Sequence, residues 1–165
     1  MANITTLSVG TLTHPTAMDN GHTYVVDNVI DFAEVLTAKG SALAAADTIE
    51  CIVLPIGTFV LFAGLEVVQV DDSTTLTLDL GQTGGTVDQW VDGFDMAAAA
   101  VGDYGAYDAN IAIAAQFDGA TADTLDLVFA TQSGTTTVGK VRVFAVIADC
   151  SGGSRRTPGI AQIGS

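Results

Sequence analysis

Alternation of apolar and polar residues with a period of two is the feature that most restricts how this sequence can fold. The pattern recurs along most of the chain and is rich in β-branched residues, whereas no long window combines a 3.6-residue period with helix caps. Such a period places successive side chains on opposite faces of a strand. We therefore expect an all-β protein.

The alternation predicts about eight strands, which is enough for two packed sheets. We expect a single antiparallel β-sandwich or jelly-roll domain. The clearest pattern places Leu125, Leu127 and Phe129 on one face. The predicted strands are residues 23–35, 47–54, 58–70, 74–80, 87–91, 111–117, 124–131 and 138–149.

Two further expectations concern how these strands are surrounded and joined. The strand at 58–70 is apolar on both faces, which predicts that it is covered on both sides. Asp71, Asp72 and Ser73 then supply turn chemistry, which predicts a hairpin with the strand at 74–80. The Ala-rich link 38–46 contains Gly40 and no stabilising charge pattern, and we expect a loop there.

The ends of the chain lie outside the alternating pattern. We expect residues 1–22 to form an N-terminal arm, residues 23–150 to form the β-sandwich domain and residues 151–165 to form a C-terminal tail. Between residues 81 and 110 lies a long irregular region rich in Gly, Ala and Asp. A loop of that length in a compact domain is typical of function or of contact with a partner.

The charge balance argues against several classes of partner. The chain has 19 acidic and 5 basic residues, for a formal net charge of -14. A groove that follows nucleic-acid phosphates needs clustered Lys and Arg, so we expect no nucleic-acid binding. The same charge disfavours an anionic membrane surface. The basic residues are Lys39, Lys140, Arg142, Arg155 and Arg156.

No segment has the pattern of a membrane span or of a secretory signal. The most apolar stretch, residues 51–65, contains Pro55 and Gly57 and is shorter than the roughly 20 residues that a spanning helix needs. The N-terminal residues lack a basic region followed by a sustained apolar run. We therefore expect no membrane partner and synthesis in a cytoplasm.

The two cysteines are too few for a disulfide framework. Cys51 and Cys150 each lie in or beside an apolar strand pattern, where a free cysteine behaves as a small apolar residue. We expect buried thiols, and a bridge between the two remains the alternative.

Residues for catalysis are scarce. His14 and His22, the only histidines, lie in the expected N-terminal arm, so a catalytic triad or a zinc site would have to be built from that arm. The common nucleotide-binding and metalloprotease motifs are absent from the sequence. We expect no enzyme activity, no catalytic residue, no cofactor and no resident metal.

Carboxylates are the one chemical resource in excess. Adjacent pairs such as Asp71 and Asp72 have the pattern of outward positions that keep an apolar β domain soluble. Calcium binding stays open as an alternative, because hard cations take clustered carboxylate oxygens, although the spacing is not that of an EF-hand. The candidates in the irregular region are Asp88, Asp92, Asp95, Asp103 and Asp108.

The apolar content exceeds what one small core requires, which indicates an assembled protein. Aromatic residues on a long loop are typical anchors of interfaces, although a core position for Trp90 is an equal alternative. Two adjacent arginines in the tail could dock onto an acidic neighbour. The candidate interface residues are Trp90, Phe94, Tyr104, Tyr107, Arg155 and Arg156.

One stretch resembles known proteins. The sequence Thr-Leu-Asp-Leu-Gly at 77–81 is followed by Gly-Gly-Thr-Val-Asp-Gln-Trp-Val-Asp-Gly-Phe-Asp at 84–95. This pattern resembles capsid decoration (cement) proteins of tailed bacteriophages, in particular marine phages and cyanophages. The resemblance covers about a fifth of the chain, and the acidic, Thr-, Ala- and Gly-rich composition is similar as well.

The resemblance implies a specific role. Decoration proteins of this kind are β-sandwich or jelly-roll homotrimers on the outer surface of an icosahedral head, between major capsid proteins. They are structural virion proteins without catalytic residues. The expected partners are therefore two further copies of this chain and the major capsid protein, and the expected location is the outer capsid surface.

Two alternatives remain from the sequence. A phage head-fibre, tail or baseplate protein would share the composition and the trimer. A carbohydrate-binding β-sandwich would use Trp90, Tyr104 and Tyr107 to stack on sugar faces.

Overall fold

The computed structural model describes residues 3–4, 23–54, 56–82, 85–106, 116–118 and 122–149. These residues form ten strands and one helix. In chain order the elements are β1 (Asn3–Ile4), β2 (Thr23–Asp31), α1 (Phe32–Lys39), β3 (Thr48–Leu54), β4 (Thr58–Gln69), β5 (Thr75–Gln82), β6 (Val91–Asp95), β7 (Tyr104–Ala106), β8 (Gln116–Asp118), β9 (Asp123–Ser133) and β10 (Lys140–Asp149).

The strands form two sheets. One has the order β1-β3-β9-β5-β6, and the other has the order β2-β10-β4-β7, with β8 also pairing with β4. The pairing of β1 with β3 is parallel, and the other pairings of the described strands are antiparallel. The prediction of an all-β sandwich is confirmed.

The core lies between the two sheets and is built by period-2 alternation. Leu125, Leu127 and Phe129 of β9 are 0% exposed, as the sequence predicted. Across the sandwich, the alternate residues Val141 and Val143 of β10 are also 0% exposed. Each large apolar side chain buried in this way stabilises the fold by about 1.5–3 kcal/mol.

The strand predicted at 23–35 ends early. β2 stops at Asp31, and helix α1 follows where the sequence pattern predicted further strand. The Asp31 carboxylate accepts the Ala33 N–H at 3.0 Å and caps the helix, and Gly40 ends it with φ 70°. Phe32 and Val35 turn into the core. The caps at both ends therefore stabilise a helix here, although the alternation of these residues is that of a strand.

One polar residue, Asn28, lies in the otherwise apolar row of β2 that faces the core. Asn28 points inward at the edge of its sheet, and its amide donates to the Cys51 carbonyl at 2.9 Å. Cys51 lies where the register between β3 and β9 shifts, between Glu50 and Ile52. Cys51 has no partner residue on β9, and the Asn28 side chain links the two sheets at this point.

The predicted hairpin between the strands at 58–70 and 74–80 is wrong. β4 and β5 belong to different sheets, and β5 pairs with β6 and β9 instead. The turn residues direct a crossing between sheets: Asp72 accepts the Thr137 N–H at 2.8 Å and the Val138 N–H at 3.2 Å, which attaches the crossing to the segment before β10.

The loop after α1 is held by a buried ion pair. Lys39 pairs with Asp47, and the two side chains are only 9% and 5% exposed. The Asp47 carboxylate also accepts the Ala44 N–H at 2.8 Å. Backbone bonds from Ala46 to Phe129 and from Phe129 to Asp47 then attach the loop to β9. The loop predicted at 38–46 is confirmed from Gly40 onward.

The predicted strand at 87–91 is displaced, since β6 begins at Val91 and the residues before it form a turn. This turn folds over Gly81, where an alanine Cβ would lie 2.1 Å from the Thr86 carbonyl oxygen. Strand β7 had no predicted counterpart. Of the strand predicted at 111–117, residues 111–115 lie outside the described part of the chain, and 116–117 belong to β8.

The N-terminal arm predicted at 1–22 contributes β1 to the sandwich, where Asn3 and Ile4 pair with Thr48 and Ile49. The rest of that arm and the tail predicted at 151–165 lie outside the described residues. In the portion that is described, no helix is long and apolar enough to cross a membrane.

Candidate interface surface

Trp90 occupies the core. Its side chain is 0% exposed, and its backbone N–H donates to the Leu80 carbonyl at 2.8 Å. Its indole nitrogen has no hydrogen-bond partner among the described residues. Of the two positions that the sequence left open for Trp90, the structure shows the core one, so within this chain the ring presents no surface to a partner.

Phe94 and Tyr104 face different surroundings. The Phe94 ring is half-buried and packs on Gly105, where an alanine Cβ would lie 2.8 Å from a ring carbon. Tyr104 is 60% exposed and lies opposite Glu66 in the ladder between β4 and β7. Residues directly opposite each other point to the same face. The other candidate interface residues, Tyr107, Arg155 and Arg156, lie outside the described residues.

The solvent-facing side of β2, β10 and β4, here called the outer face, is largely apolar. Val25 and Val29 of β2 are 65% and 42% exposed. In the ladder, Val146 lies opposite both Val25 and Phe62, and Phe144 lies one row further along. The expectation that β4 is covered on both sides is therefore wrong within this chain, since Leu61 is also 39% exposed.

Two aromatic rings form the centre of the outer face. Phe62 and Phe144 lie with their ring centroids 6.0 Å apart at an interplanar angle of 40°. Gly64 makes room for them, because an alanine Cβ there would lie 3.0 Å from the tip of Phe144 and 2.9 Å from the Gly105 carbonyl oxygen. Tilted ring pairs at this separation are favourable, so the rings form one apolar unit.

At the other end of the outer face, basic and acidic side chains form ion pairs. Lys140 pairs with Asp31 at 2.6 Å, and Arg142 pairs with Glu66 in the neighbouring row. The hydrogen bond from Lys140 lowers the pKa of the Asp31 carboxyl, against a smaller opposing effect of burial. Asp27, beside Phe144, is the carboxylate of this face without an ion-pair partner among the described residues.

The opposite sheet has an outer surface of another kind. Thr77 and Thr131 share a hydrogen bond of 2.7 Å across β5 and β9, and Asp79 lies near Asp88 and Asp92. Burial raises the pKa of Asp79, and the negative charges of Asp92 and Asp88 raise it further. The part of this surface around β5 and β9 is polar and acidic.

The raised pKa of Asp79 gives a pH prediction. The folded chain binds this proton more tightly than the unfolded chain does, so stability falls as the pH rises through the folded pKa. We expect Asp79→Asn to stabilise the protein at pH 7 by about 0.5 kcal/mol, since solvent screens a half-exposed group. The side-chain oxygen of the introduced asparagine would still accept the Gly93 N–H, which Asp79 accepts at 2.7 Å.

Thermal melts across pH measure this effect. The gain should vanish below about pH 4, where the aspartate of the unfolded chain is protonated as well. Asp92→Asn, which removes one repelling charge but leaves Asp79 ionisable, serves as the control and should give a smaller gain. A variant that is destabilised at pH 7 and recovers at low pH would contradict the prediction.

The aspartates that suggested calcium binding as an alternative do not form a metal site among the described residues. Asp88, Asp92, Asp95 and Asp103 are described, and Asp108 is not. Within the described ranges, no three His, Cys, Asp or Glu side chains are grouped so that they could hold a metal ion. Asp95 and Asp103 instead accept backbone N–H groups of Ala98 and Ala100 in their own loop.

The cysteine and histidine predictions have different outcomes. Cys51 is buried as predicted, and burial raises the pKa of its thiol. Cys51 is a free thiol, so the structure does not bear out the alternative of a bridge to Cys150. Cys150 itself, His14 and His22 lie outside the described residues.

Most of the outer face was not predicted from the sequence. Val25, Val29, Phe62, Phe144 and Val146 belong to recognised strand patterns, yet only the inward positions of those strands were expected to matter. The one sign of this surface in the sequence was the second row of apolar residues in β4, on the face that points away from the core. That row was interpreted as a covered strand rather than as an uncovered surface.

The fold is shared with chains of phage capsids. Over 87% of this chain and 96% of the other, it is similar to a chain of the cyanophage Pam1 capsid asymmetric unit, with a TM-score of 0.58 and 19% identity. A chain of the capsid of Ralstonia phage GP4 is similar over 86% and 92%, with a TM-score of 0.54 and 18% identity. No family model and no curated protein matches the sequence. At these identities the likeness is one of fold.

Proposed function

We propose that the protein is a structural virion protein that decorates and stabilises the outer surface of a phage capsid, as a trimer that bridges major capsid proteins. The likeness of fold to chains of two phage capsids, over most of both chains, is the observation that carries the proposal. The motif at 77–95 supports it independently. The proposal needs no catalytic residue and no cofactor, and it implies synthesis in the host cytoplasm.

The strand order supports the jelly-roll form of the sandwich. Apart from the β5–β6 pair, which lies within one sheet, consecutive strands of the orders β2-β10-β4-β7 and β3-β9-β5-β6 alternate between the two sheets. A chain that winds back and forth between two four-stranded sheets in this order makes the paired Greek keys of a jelly roll. Jelly rolls are common in viral capsid and lectin domains.

The proposed work is mechanical. A protein that binds the assembled shell but not the free subunits stabilises the shell by mass action. Three linked copies bind together more tightly than one copy, because the second and third contacts form at a high effective concentration. The acidic side around Asp79, Asp88 and Asp92 would face solvent, since each copy brings a formal charge of -14.

Purified protein mixed with undecorated capsids tests the proposal. We expect it to sediment with the capsids and to raise the melting temperature of the shell. At a free concentration 100 times the dissociation constant, binding stabilises each site by about 2.7 kcal/mol. Free capsid subunits, the control, should not retain the protein. Absence of sedimentation with intact shells would contradict a decorating role.

The number of copies of the protein in each virion distinguishes a decoration protein from the main alternative. A decoration protein should be present in virions at a copy number comparable to that of the major capsid protein, whereas a head-fibre, tail or baseplate protein should be present in far fewer copies. The carbohydrate-binding alternative is weakened, because Trp90 is buried and cannot stack on a sugar.

A further inference from the structure

The outer face has the properties of a contact surface rather than of a solvated sheet. Its apolar end gathers Val25, Val146, Phe62 and Phe144 in adjacent ladder rows. Leu61, the unpaired residue of the bulge in β4 beside them, is 39% exposed. Exposed apolar patches bordered by polar residues often mark surfaces that contact a partner. The opposite sheet, by comparison, presents threonine and aspartate outward.

The charges of the outer face indicate what covers it. The described part of the chain holds three basic side chains, and Lys39 among them is buried. The two exposed ones, Lys140 and Arg142, both lie on the outer face with side-chain exposures of 39% and 42%. On a chain of net charge -14, this face is where another acidic body meets the least repulsion.

The face is also complementary to itself. Asp27 lies on β2 without an ion-pair partner among the described residues, one row from Arg142 on β10. When two copies meet through this face, the Asp27 carboxylate of one copy can reach the exposed cations of the other, while valine and phenylalanine side chains pack beside them.

We propose that the outer face forms the contact between copies of this chain, with the β2 side of one copy against the β4 side of the next. A head-to-tail contact forms a closed ring when successive copies are related by the right rotation, which for the proposed trimer is that of a three-fold axis. This inference rests on the proposed function, because it identifies the surface through which the proposed trimer assembles. The acidic side of the sandwich then stays free of contacts between copies.

Light scattering after size exclusion tests the proposal on the full chain. We expect the wild type to have three times the 16.8 kDa chain mass. Val25→Asp buries an unpaired charge in the contact and should weaken assembly by about 100-fold or more. Val53→Asp is the matched control, since Val53 is 50% exposed on the opposite sheet, and this variant should assemble normally.

A second variant tests the charge argument. Asp27→Lys places a cation against Lys140 and Arg142 of the neighbouring copy and should also weaken assembly. Neither Val25 nor Asp27 has a buried side chain, so the circular dichroism spectrum of the separated chain should resemble that of wild type.

The possible outcomes are distinct. A Val25→Asp protein that remains a trimer overturns the proposal and leaves the decorating role intact. Retention of the trimer together with loss of capsid binding also overturns it, because the face would then bind the capsid protein. A monomeric wild type overturns both the contact and the trimer, whereas the sedimentation experiment decides the decorating role separately.

Discussion

Gly81→Ala is expected to destabilise the protein by about 3 kcal/mol or more. Gly81 follows Leu80, the last core-facing leucine of β5, and the turn before β6 folds directly over it. A Cβ at this position would lie 2.1 Å from the Thr86 carbonyl oxygen and 2.4 Å from the Val87 carbonyl carbon. Both are backbone atoms, so no side-chain rotation relieves the overlap.

Urea denaturation followed by tryptophan fluorescence measures this loss, since Trp90 is fully buried a few residues away. Gly85→Ala is the matched control, because a Cβ there would come no closer than 3.5 Å to any other residue. We expect that control to stay within about 1 kcal/mol of wild type. Equal denaturation midpoints for the two variants would show that the turn does not pack against β5 in this way.

Asp47→Ala is expected to cost about 3 kcal/mol. The Asp47 carboxylate accepts from the Lys39 ammonium and from the Ala44 N–H, and its side chain is 5% exposed. Removing it leaves the ammonium of Lys39, 9% exposed, with the Ala42 carbonyl at 2.6 Å as its remaining described partner. A buried charge without a counter-charge is far more costly than the pair itself.

A second variant distinguishes the charge effect from simple loss of packing. Lys39→Met combined with Asp47→Leu leaves neither charge in the buried site and should recover much of the stability that Asp47→Ala loses. Melting temperatures of the two variants and of wild type give the comparison. If the double variant is less stable than Asp47→Ala, the loop depends on the ion pair itself and our explanation is wrong.

The strands were predictable because period-2 alternation reflects burial directly. The β9 pattern of Leu125, Leu127 and Phe129 predicted both the strand and its inward face. The helix α1 was missed although its caps, Asp31 and Gly40, are visible in the sequence. Its eight residues are too few to establish a 3.6-residue period, so the cap signals alone would have had to decide.

Sheet topology could not be predicted, because turn chemistry does not say which strands a turn joins. Asp71 and Asp72 have hairpin-type identities, yet they direct a crossing from β4 to β5 in the other sheet. What decides this is a distant partner, the Thr137 N–H that Asp72 accepts. A local pattern contains no information about a group 65 positions away.

The candidate surface was only partly predictable for a related reason. Tyr104 was singled out as an exposed aromatic residue and lies beside Glu66 on the outer face. Trp90, chosen by the same criterion, fills the core. Composition identifies residues suited to interfaces, whereas only strand register shows that Val25, Val146 and Phe62 lie side by side.

The position of β10 between β2 and β4 also determines when the protein can fold during its synthesis. β2 is made early, beginning at Thr23, yet its ladder partner is the last of the described strands, Lys140–Asp149. Until β10 leaves the ribosome, β2 and β4 have no common neighbour, and their sheet stays open. Folding is therefore expected to wait for nearly the whole described chain, so incomplete chains would not present an assembled outer face.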